Sequence, residues 1–189
     1  MLVISEHAQI SELADIEDSV RGTVITIEAG VMIDSFVKIK PAGGTGDLFI
    51  GEKSYINSGC VLYTGNGIRI GRGVLIASNC TLAPVNHAYE SREKTILEQR
   101  FKPSKGGIII EDDVWIGANV VILDGTHIQR GAVIGAQSVV KGVLESYGVY
   151  AGNPLELLKY RGDARVPDGG NSSCGRPGVH VGDSPGDSE

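Results

Sequence analysis

The four histidines are the side chains of this chain best suited to move a proton near neutral pH, and their positions differ. His180 lies in a stretch rich in Gly, Ser and Pro, and His7 lies close to the first residue. His127 follows Gly-Thr, where we expect a solvent-facing corner. His87 stands at the start of the longest irregular segment, so a rigid scaffold can hold it beside a groove. We predict that His87 is a general base; a loop histidine without a catalytic role is the alternative.

The three cysteines do not form a metal-binding pattern. Cys60, Cys80 and Cys174 are widely spaced and make no CxxC pair or Cys/His cluster. The histidines are also spread too widely to ligate one ion together. We therefore expect no metal, and we expect Cys60 and Cys80 to be small core residues.

The scaffold that must position His87 is visible as a six-residue repeat of aliphatic side chains. Each of these positions is Ile, Leu or Val. They are Ile4, Ile10, Ile16, Ile27, Ile33, Ile39, Ile50, Ile56, Leu62, Ile70, Ile76, Leu82, Ile110, Ile116, Ile122, Ile128, Ile134 and Val140. A period of six suits neither an α-helix nor a simple alternating strand, but it suits a short strand and a corner, three times per turn of a coil. The sequence therefore predicts an all-β fold of about six triangular coils with an aliphatic core.

Interruptions of the repeat all fall at the same corner of the predicted coil. The longest forms a protruding loop over residues 84–107, between Leu82 and Ile110. Insertions that leave from one edge mark that edge as the functional face; a corner that merely tolerates length is the alternative. Trp115 directly precedes Ile116, so we expect it to face outward as a subunit or loop contact.

The chain changes character after the last repeat. Residues 154–161 begin with Pro and contain Leu-Glu-Leu-Leu, which predicts a short C-terminal helix. Residues 162–189 have almost no apolar side chains and are expected to be a disordered tail. We expect one β-helix domain over residues 1–161.

Composition and charge exclude some classes of partner. The net charge is −6 and the basic residues are scattered singly, which argues against nucleic acid or an anionic membrane surface. No apolar run approaches the ~20 residues that a spanning helix needs, and the first residues lack the basic start of a signal peptide. The sequence thus favours a cytoplasmic protein without membrane insertion.

Three motifs resemble a known family. They are IEDDVWIGA at 110–118, GAVIGAQSVV at 131–140 and YAGNP at 150–154. Together with the repeat, they resemble the hexapeptide-repeat acyltransferases, in the branch of galactoside and maltose O-acetyltransferases and of polysaccharide-biosynthesis acetyltransferases. The resemblance implies a left-handed parallel β-helix, a homotrimer with the active site between subunits, and acetyl-CoA as co-substrate.

The resemblance also implies catalytic residues. His87 matches the family's general base, which deprotonates the acceptor. Asn57 matches an Asn that contacts the acceptor or the reacting centre, and its separation from His87 agrees with that branch. An ordinary corner residue is the alternative for Asn57.

Further positions correspond to the family's CoA site. Ala118 and Ala136 match places where backbone groups bind the pantetheine arm, and small side chains there let a ligand approach the backbone. Lys141 and Lys159 are candidates for the CoA phosphates, with solvated surface lysines as the alternative. The family pattern has Thr then Lys after the last Val, whereas this chain has Lys141 and then Gly142.

The predicted function is acetyl transfer from acetyl-CoA to a hydroxyl or amino group of a sugar or nucleotide sugar in surface polysaccharide biosynthesis. The helical amino-terminal segment of the galactoside and maltose enzymes is replaced here by an extra coil, so the acceptor need not be a simple galactoside or maltose. An acetyltransferase of antibiotics and a non-catalytic β-helix assembly module are the alternatives.

Overall fold

The computed structural model describes residues 1–163, which form a left-handed parallel β-helix. The predicted tail therefore lies outside the described residues, apart from its first two positions, and so do Cys174 and His180. Within the described part of the chain, no helix is long and apolar enough to cross a membrane.

Each complete coil contributes three short strands, and six coils are complete. In chain order, the strands of these coils are β1 (Leu2–Ile4), β2 (Gln9–Ile10), β3 (Asp15–Ile16); β4 (Ile25–Ile27), β5 (Met32–Ile33), β6 (Lys38–Lys40); β7 (Leu48–Ile50), β8 (Tyr55–Ile56), β9 (Val61–Tyr63); β10 (Ile68–Ile70), β11 (Leu75–Ile76), β12 (Thr81–Ala83); β13 (Ile108–Ile110), β14 (Trp115–Ile116), β15 (Val121–Leu123); and β16 (Thr126–Ile128), β17 (Val133–Ile134), β18 (Val139–Val140). A partial seventh coil holds β19 (Val143–Leu144) and β20 (Gly148–Ala151), and the chain then forms β21 (Glu156–Tyr160).

Equivalent strands of successive coils pair in parallel and build the three flat faces of a prism. The first sheet has the order β1-β4-β7-β10-β13-β16-β19, and the second has β2-β5-β8-β11-β14-β17-β20-β21. The third sheet has the order β3-β6-β9-β12-β15-β18. We call the edge between the first and second sheets the first corner, that between the second and third the second corner, and that between the third and first the third corner.

The core is the predicted aliphatic ladder. Ile50 lies between Ile27 and Ile70 in neighbouring rungs of the first sheet, and Ile110 follows Ile70. All four side chains are at most 1% exposed. Because the six-residue period returns the same side chain to the same face in each coil, the repeat alone aligns this stack.

Cys60 and Cys80 are core residues of the β-helix, as predicted. The pairing of Val61 with Thr81 places the preceding residues, Cys60 and Cys80, in adjacent coils, and both are fully buried. The Cys60 thiol donates to the carbonyl oxygen of Ala77 at 3.1 Å. The neighbouring Cys80 sulfur and burial both raise the pKa of the Cys60 thiol, so it stays protonated near neutral pH.

The predicted C-terminal helix is wrong. Residues 156–160 form β21, which pairs antiparallel with β20 and joins Gly148 to Tyr160 and Ala151 to Glu156. All five residues of β21 are exposed, so burial of side chains does not account for the choice of a strand. A hairpin instead supplies hydrogen-bond partners to β20, which is otherwise the open edge of the second sheet.

Candidate active site

The protruding loop leaves the third corner between β12 and β13 and folds back on itself as a hairpin. An antiparallel bridge joins His87 to Phe101. The amide of Ala88 donates to the carbonyl of Arg100 at 2.9 Å, and the amide of Lys102 donates to the carbonyl of Asn86 at 2.8 Å. The two arms of the loop therefore hold each other, and His87 sits close to the point where the loop leaves the coil.

The tip of the loop is organised by polar contacts of its own. It contains the short helix α1 (Ile96–Gln99), whose first turn is closed by a capping box between Thr95 and Glu98. The side-chain amide of Gln99 donates to the carbonyls of Ser91 at 3.1 Å and of Lys94 at 3.0 Å. No residue of α1 is buried, so the loop depends on hydrogen bonds rather than on a core of its own.

The returning arm of the loop is anchored to the coil by Asp124, a residue that the sequence interpretation missed. Its carboxyl group accepts hydrogen bonds from the amides of Lys105 at 2.8 Å and Gly107 at 2.9 Å, and from the side-chain amide of Asn66 at 3.3 Å. Asp124 is only 7% exposed. The only available signal was an acidic residue at the corner that bears the insertion, one coil further on.

We expect Asp124→Ala to loosen the loop without unfolding the coil. The change leaves two backbone amides and one side-chain amide without their acceptor, which costs about 1–3 kcal/mol for each group that water does not reach. Limited proteolysis should cut within 84–107 faster than in the wild type. Asp163→Ala is the matched control, because Asp163 is exposed beyond the last strand; equal cleavage of the two variants would contradict the anchoring role.

His87 is exposed, and its ring packs against Phe101 with the centroids 4.7 Å apart. Within residues 1–163, neither ring nitrogen of His87 has a hydrogen-bond partner. Phe101 therefore orients the imidazole while both nitrogens remain available to a ligand.

A cavity of about 430 Å³ opens beside His87. It is lined by Asn86, His87, Tyr89, Lys102, Pro103, Lys105 and Asp124. The ammonium group of Lys102 lies 3.8 Å from the centre of the Tyr89 ring and 2.5 Å from a carboxylate oxygen of Glu90. The hydrogen bond with Glu90 raises the pKa of Lys102, and the same contact lowers the pKa of Glu90, so both groups are charged at neutral pH.

The second corner carries the predicted CoA residues in the arrangement expected from the repeat. Ile116 pairs with Ile134, so Ala118 and Ala136, each two residues further on, lie one coil apart. The amide of Gln137 donates to the carbonyl of Ala118 at 2.9 Å. Ala118 is half-buried and Ala136 is exposed, so the side chain at each of these two positions is a single methyl group that a ligand can approach.

Asn57 lies at the second corner as well. It follows β8, and its amide donates to the carbonyl of Ile76 at 2.9 Å in the next coil. Beside it, the hydroxyl of Ser58 donates to the carboxylate of Asp34 at 2.7 Å. The hydrogen bond from Ser58 and a second from the amide of Ser35 lower the pKa of Asp34.

One chain does not bring the predicted site residues together. His87 belongs to the third corner, whereas Asn57 belongs to the second, so the width of the third sheet separates them. Lys141 follows β18 at the third corner. Lys159 pairs with Val149 near the start of β20, and this places it at the first corner.

The outward side of the second sheet is apolar over three neighbouring coils. Leu75 pairs with Trp115 in adjacent coils, and Trp115 pairs in turn with Val133. Trp115 is 54% exposed and therefore faces outward, as predicted.

The family model of the bacterial transferase hexapeptide, with six repeats, matches residues 107–142. This part of the chain, which spans the last two complete coils, thus matches the hexapeptide-repeat transferases. Among residues 1–163, no three His, Cys, Asp or Glu side chains are placed to hold a metal ion.

Curated relatives of the chain carry acetyltransferase names. The chain is 29% identical to the putative lipopolysaccharide biosynthesis O-acetyl transferase WbbJ of Escherichia coli K12. The alignment spans 143 residues and covers 73% of this chain and 69% of WbbJ. It is 35% identical over 113 residues to a probable macrolide acetyltransferase of Lysinibacillus sphaericus, covering 60% of this chain and 63% of that protein.

Solved structures include the same architecture. A variant of the N-acyltransferase AntD from Bacillus cereus, crystallised with dTDP-4-amino-4,6-dideoxyglucose and coenzyme A, superposes with a TM-score of 0.70. It is 27% identical, over 85% of this chain and 83% of AntD. The polySia-specific acetyltransferase NeuO shares the fold, with a TM-score of 0.67.

Proposed function

We propose that this protein transfers an acetyl group from acetyl-CoA to a hydroxyl or amino group of a sugar or nucleotide sugar in surface polysaccharide biosynthesis. The observation that carries the proposal is His87, whose ring nitrogens have no partner among residues 1–163 and which lines a cavity on an anchored loop. WbbJ, named for lipopolysaccharide biosynthesis, and AntD, crystallised with a dTDP-sugar and coenzyme A, support the choice of acceptor and donor. The cytoplasmic location stays a prediction.

In this mechanism His87 acts as general base. A ring nitrogen of His87 accepts the proton of the acceptor hydroxyl or amine as that atom attacks the thioester carbonyl, which acetyl-CoA supplies. The imidazolium then returns the proton to the departing thiolate, so the enzyme ends in its starting protonation state. Both substrates are bound together, and no covalent enzyme intermediate forms. Positioned proton transfer of this kind contributes about 10²- to 10⁴-fold to the rate.

The second corner suits an extended pantetheine arm. A Cβ added at Gly117 would lie 2.6 Å from the amide nitrogen of Ala136, so the backbone of adjacent coils packs with no room for a side chain. The small side chains of Ala118 and Ala136 along this strip let the amide and carbonyl groups of a ligand approach the main chain.

A homotrimer joins the two parts of the site in this proposal. The third corner of one protomer would face the second corner of its neighbour, so that His87 of one chain meets Asn57 and the CoA strip of another. Lys141, at the third corner, then borders the same groove and suits the CoA phosphates. Lys159, at the first corner, falls outside that groove. The exposed apolar row on the second sheet, which includes Trp115, gives neighbouring protomers an apolar surface to cover.

A large side chain at position 136 should block binding of CoA. We expect Ala136→Trp to weaken CoA binding at least about tenfold, equivalent to about 1.4 kcal/mol, because the side chain covers the strip on which the arm lies. Isothermal titration calorimetry with CoA measures the change. Ala29→Trp, a partly exposed alanine at the first corner, is the matched control. Equal CoA affinity of the two variants would show that Ala136 is not part of the CoA site.

The reaction itself is tested by thiol release from acetyl-CoA with nucleotide sugars, free sugars and drug alcohols as acceptors. Turnover with a sugar or nucleotide sugar supports the proposal. Turnover with drug alcohols alone favours an antibiotic acetyltransferase, the second candidate, to which the similarity with the macrolide acetyltransferase points. No turnover together with no CoA binding would favour a non-catalytic assembly module.

A further inference from the structure

We propose that the cavity beside His87 recognises an anionic group of the acceptor, a phosphate or a carboxylate, through the ammonium groups of Lys102 and Lys105. The proposal deepens the proposed function and rests on it, because it assigns the bound group to the acceptor of the same reaction.

The charge of the loop is opposite to that of the protein. The chain as a whole has a formal net charge of −6, yet residues 84–107 contain more basic than acidic side chains. The basic residues are Arg92, Lys94, Arg100, Lys102 and Lys105, and the acidic residues are Glu90, Glu93 and Glu98. A locally positive, concave surface on an acidic protein attracts and concentrates anions.

The carboxylates of Asp124, which lines the cavity, and of Glu90 and Glu98 in the loop already have hydrogen-bond or ion-pair partners. Asp124 lines the cavity, but its two oxygens accept from the amides of Lys105 and Gly107 and from Asn66. Glu90 pairs with Lys102, and Glu98 is bonded within the capping box of α1. These carboxylates keep their negative charge, but their oxygens are already engaged by hydrogen-bond donors, and the ammonium groups of Lys102 and Lys105 line the cavity as donors for an anion.

The two lysines are held at the cavity by different means. Lys102 is oriented by the Tyr89 ring and by Glu90, and an ammonium group keeps further N–H donors when one contacts a carboxylate. Lys105 is fixed through its backbone amide by Asp124, while its side chain is exposed. Within residues 1–163 the ammonium group of Lys105 forms no ion pair. One lysine is thus preorganised and the other is free to close on a ligand.

The phosphates of CoA do not suit this position. Transfer requires the thioester next to His87, and the pantetheine arm separates the thioester from the CoA phosphates. In the proposed groove the arm runs along Ala118 and Ala136, away from the loop. The anion beside His87 therefore belongs to the acceptor, either as the diphosphate of a nucleotide sugar or as the carboxylate of an acidic sugar.

Direct binding separates these sources without requiring turnover. Titration calorimetry with UDP-glucose, glucuronate and glucose compares a diphosphate, a carboxylate and a neutral ring as probes. We expect one of the anionic probes to bind at least about tenfold more tightly than glucose. The preferred probe shows whether the acceptor carries a diphosphate or a carboxylate. Its affinity should fall as salt is raised, because salt screens the charges.

Matched variants then test the two lysines. Lys105→Gln and Lys102→Gln should each weaken binding of the preferred anionic probe about tenfold and leave glucose binding unchanged. Lys94→Gln is the control, because Lys94 lies in the same loop but does not line the cavity. Equal binding of all three probes, or equal effects of Lys94→Gln and the two cavity variants, would overturn the proposal. If the wild-type protein binds the anionic probe but shows no acetyl transfer, only the proposed function would be contradicted.

Discussion

His87→Ala lowers kcat/KM for acetyl transfer by about 10²- to 10⁴-fold, which is the usual contribution of a positioned general base. The substitution removes the imidazole that lines the cavity, and with it the proposed proton acceptor. The fold is retained, because the side chain is exposed and its contact with Phe101 lies outside the aliphatic core. Steady-state kinetics with the acceptor identified by thiol release measures the loss.

His127→Ala is the matched control for this experiment. His127 lies on β16 and does not line the cavity, and a nitrogen of its ring is 2.7 Å from a carboxylate oxygen of Glu111. A partly exposed pair of this kind contributes about 0–1 kcal/mol to stability, so we expect activity close to that of the wild type. Full activity of the His87 variant, or equal losses in the two variants, would show that the proton is taken by another group.

Ile110→Ala lowers the free energy of unfolding by about 2–5 kcal/mol. Ile110 is 1% exposed and stacks between Ile70 and Ile128 in the first sheet, so truncation leaves a cavity inside the ladder. The narrow core is bounded by three sheets that hydrogen-bond from coil to coil, which limits how far the structure can collapse around the gap. Urea unfolding at one fixed protein concentration measures the change.

The preceding residue provides the control for that measurement. Ile109 is the same residue type in the same strand, but its side chain faces outward and is 38% exposed. We expect Ile109→Ala to cost well under half as much as Ile110→Ala, because less apolar surface returns to water and no internal cavity forms. Similar losses for the two variants would mean that the strand is covered on both faces.

The coil itself was predictable because its information is local. Each six-residue unit places one aliphatic side chain inward, as Ile50, Ile70 and Ile110 illustrate, and the same pattern recurs in every unit. The same regularity predicted the burial of Cys60 and Cys80 and the protruding loop at the edge of the coil. His87 stood out because the pattern breaks directly before it.

The C-terminal segment was predicted wrongly because its local signals are ambiguous. Pro154 and the leucines that follow suit a short helix, but the neighbouring strand determined the outcome. The edge of β20 offers a row of backbone groups that β21 satisfies, and a short isolated helix has no comparable gain.

By itself, the sequence determined the coil, its aliphatic core and the position of the loop, since these follow from a short-range period. Only the tertiary structure decided that Asp124 anchors the loop and that His87 packs against Phe101. Residues 84–107 contain no repeat that specifies where they fold back, and their contacts with Asp124 join positions that are far apart along the chain. Such contacts depend on the path of the loop over the coil, which a six-residue pattern does not encode.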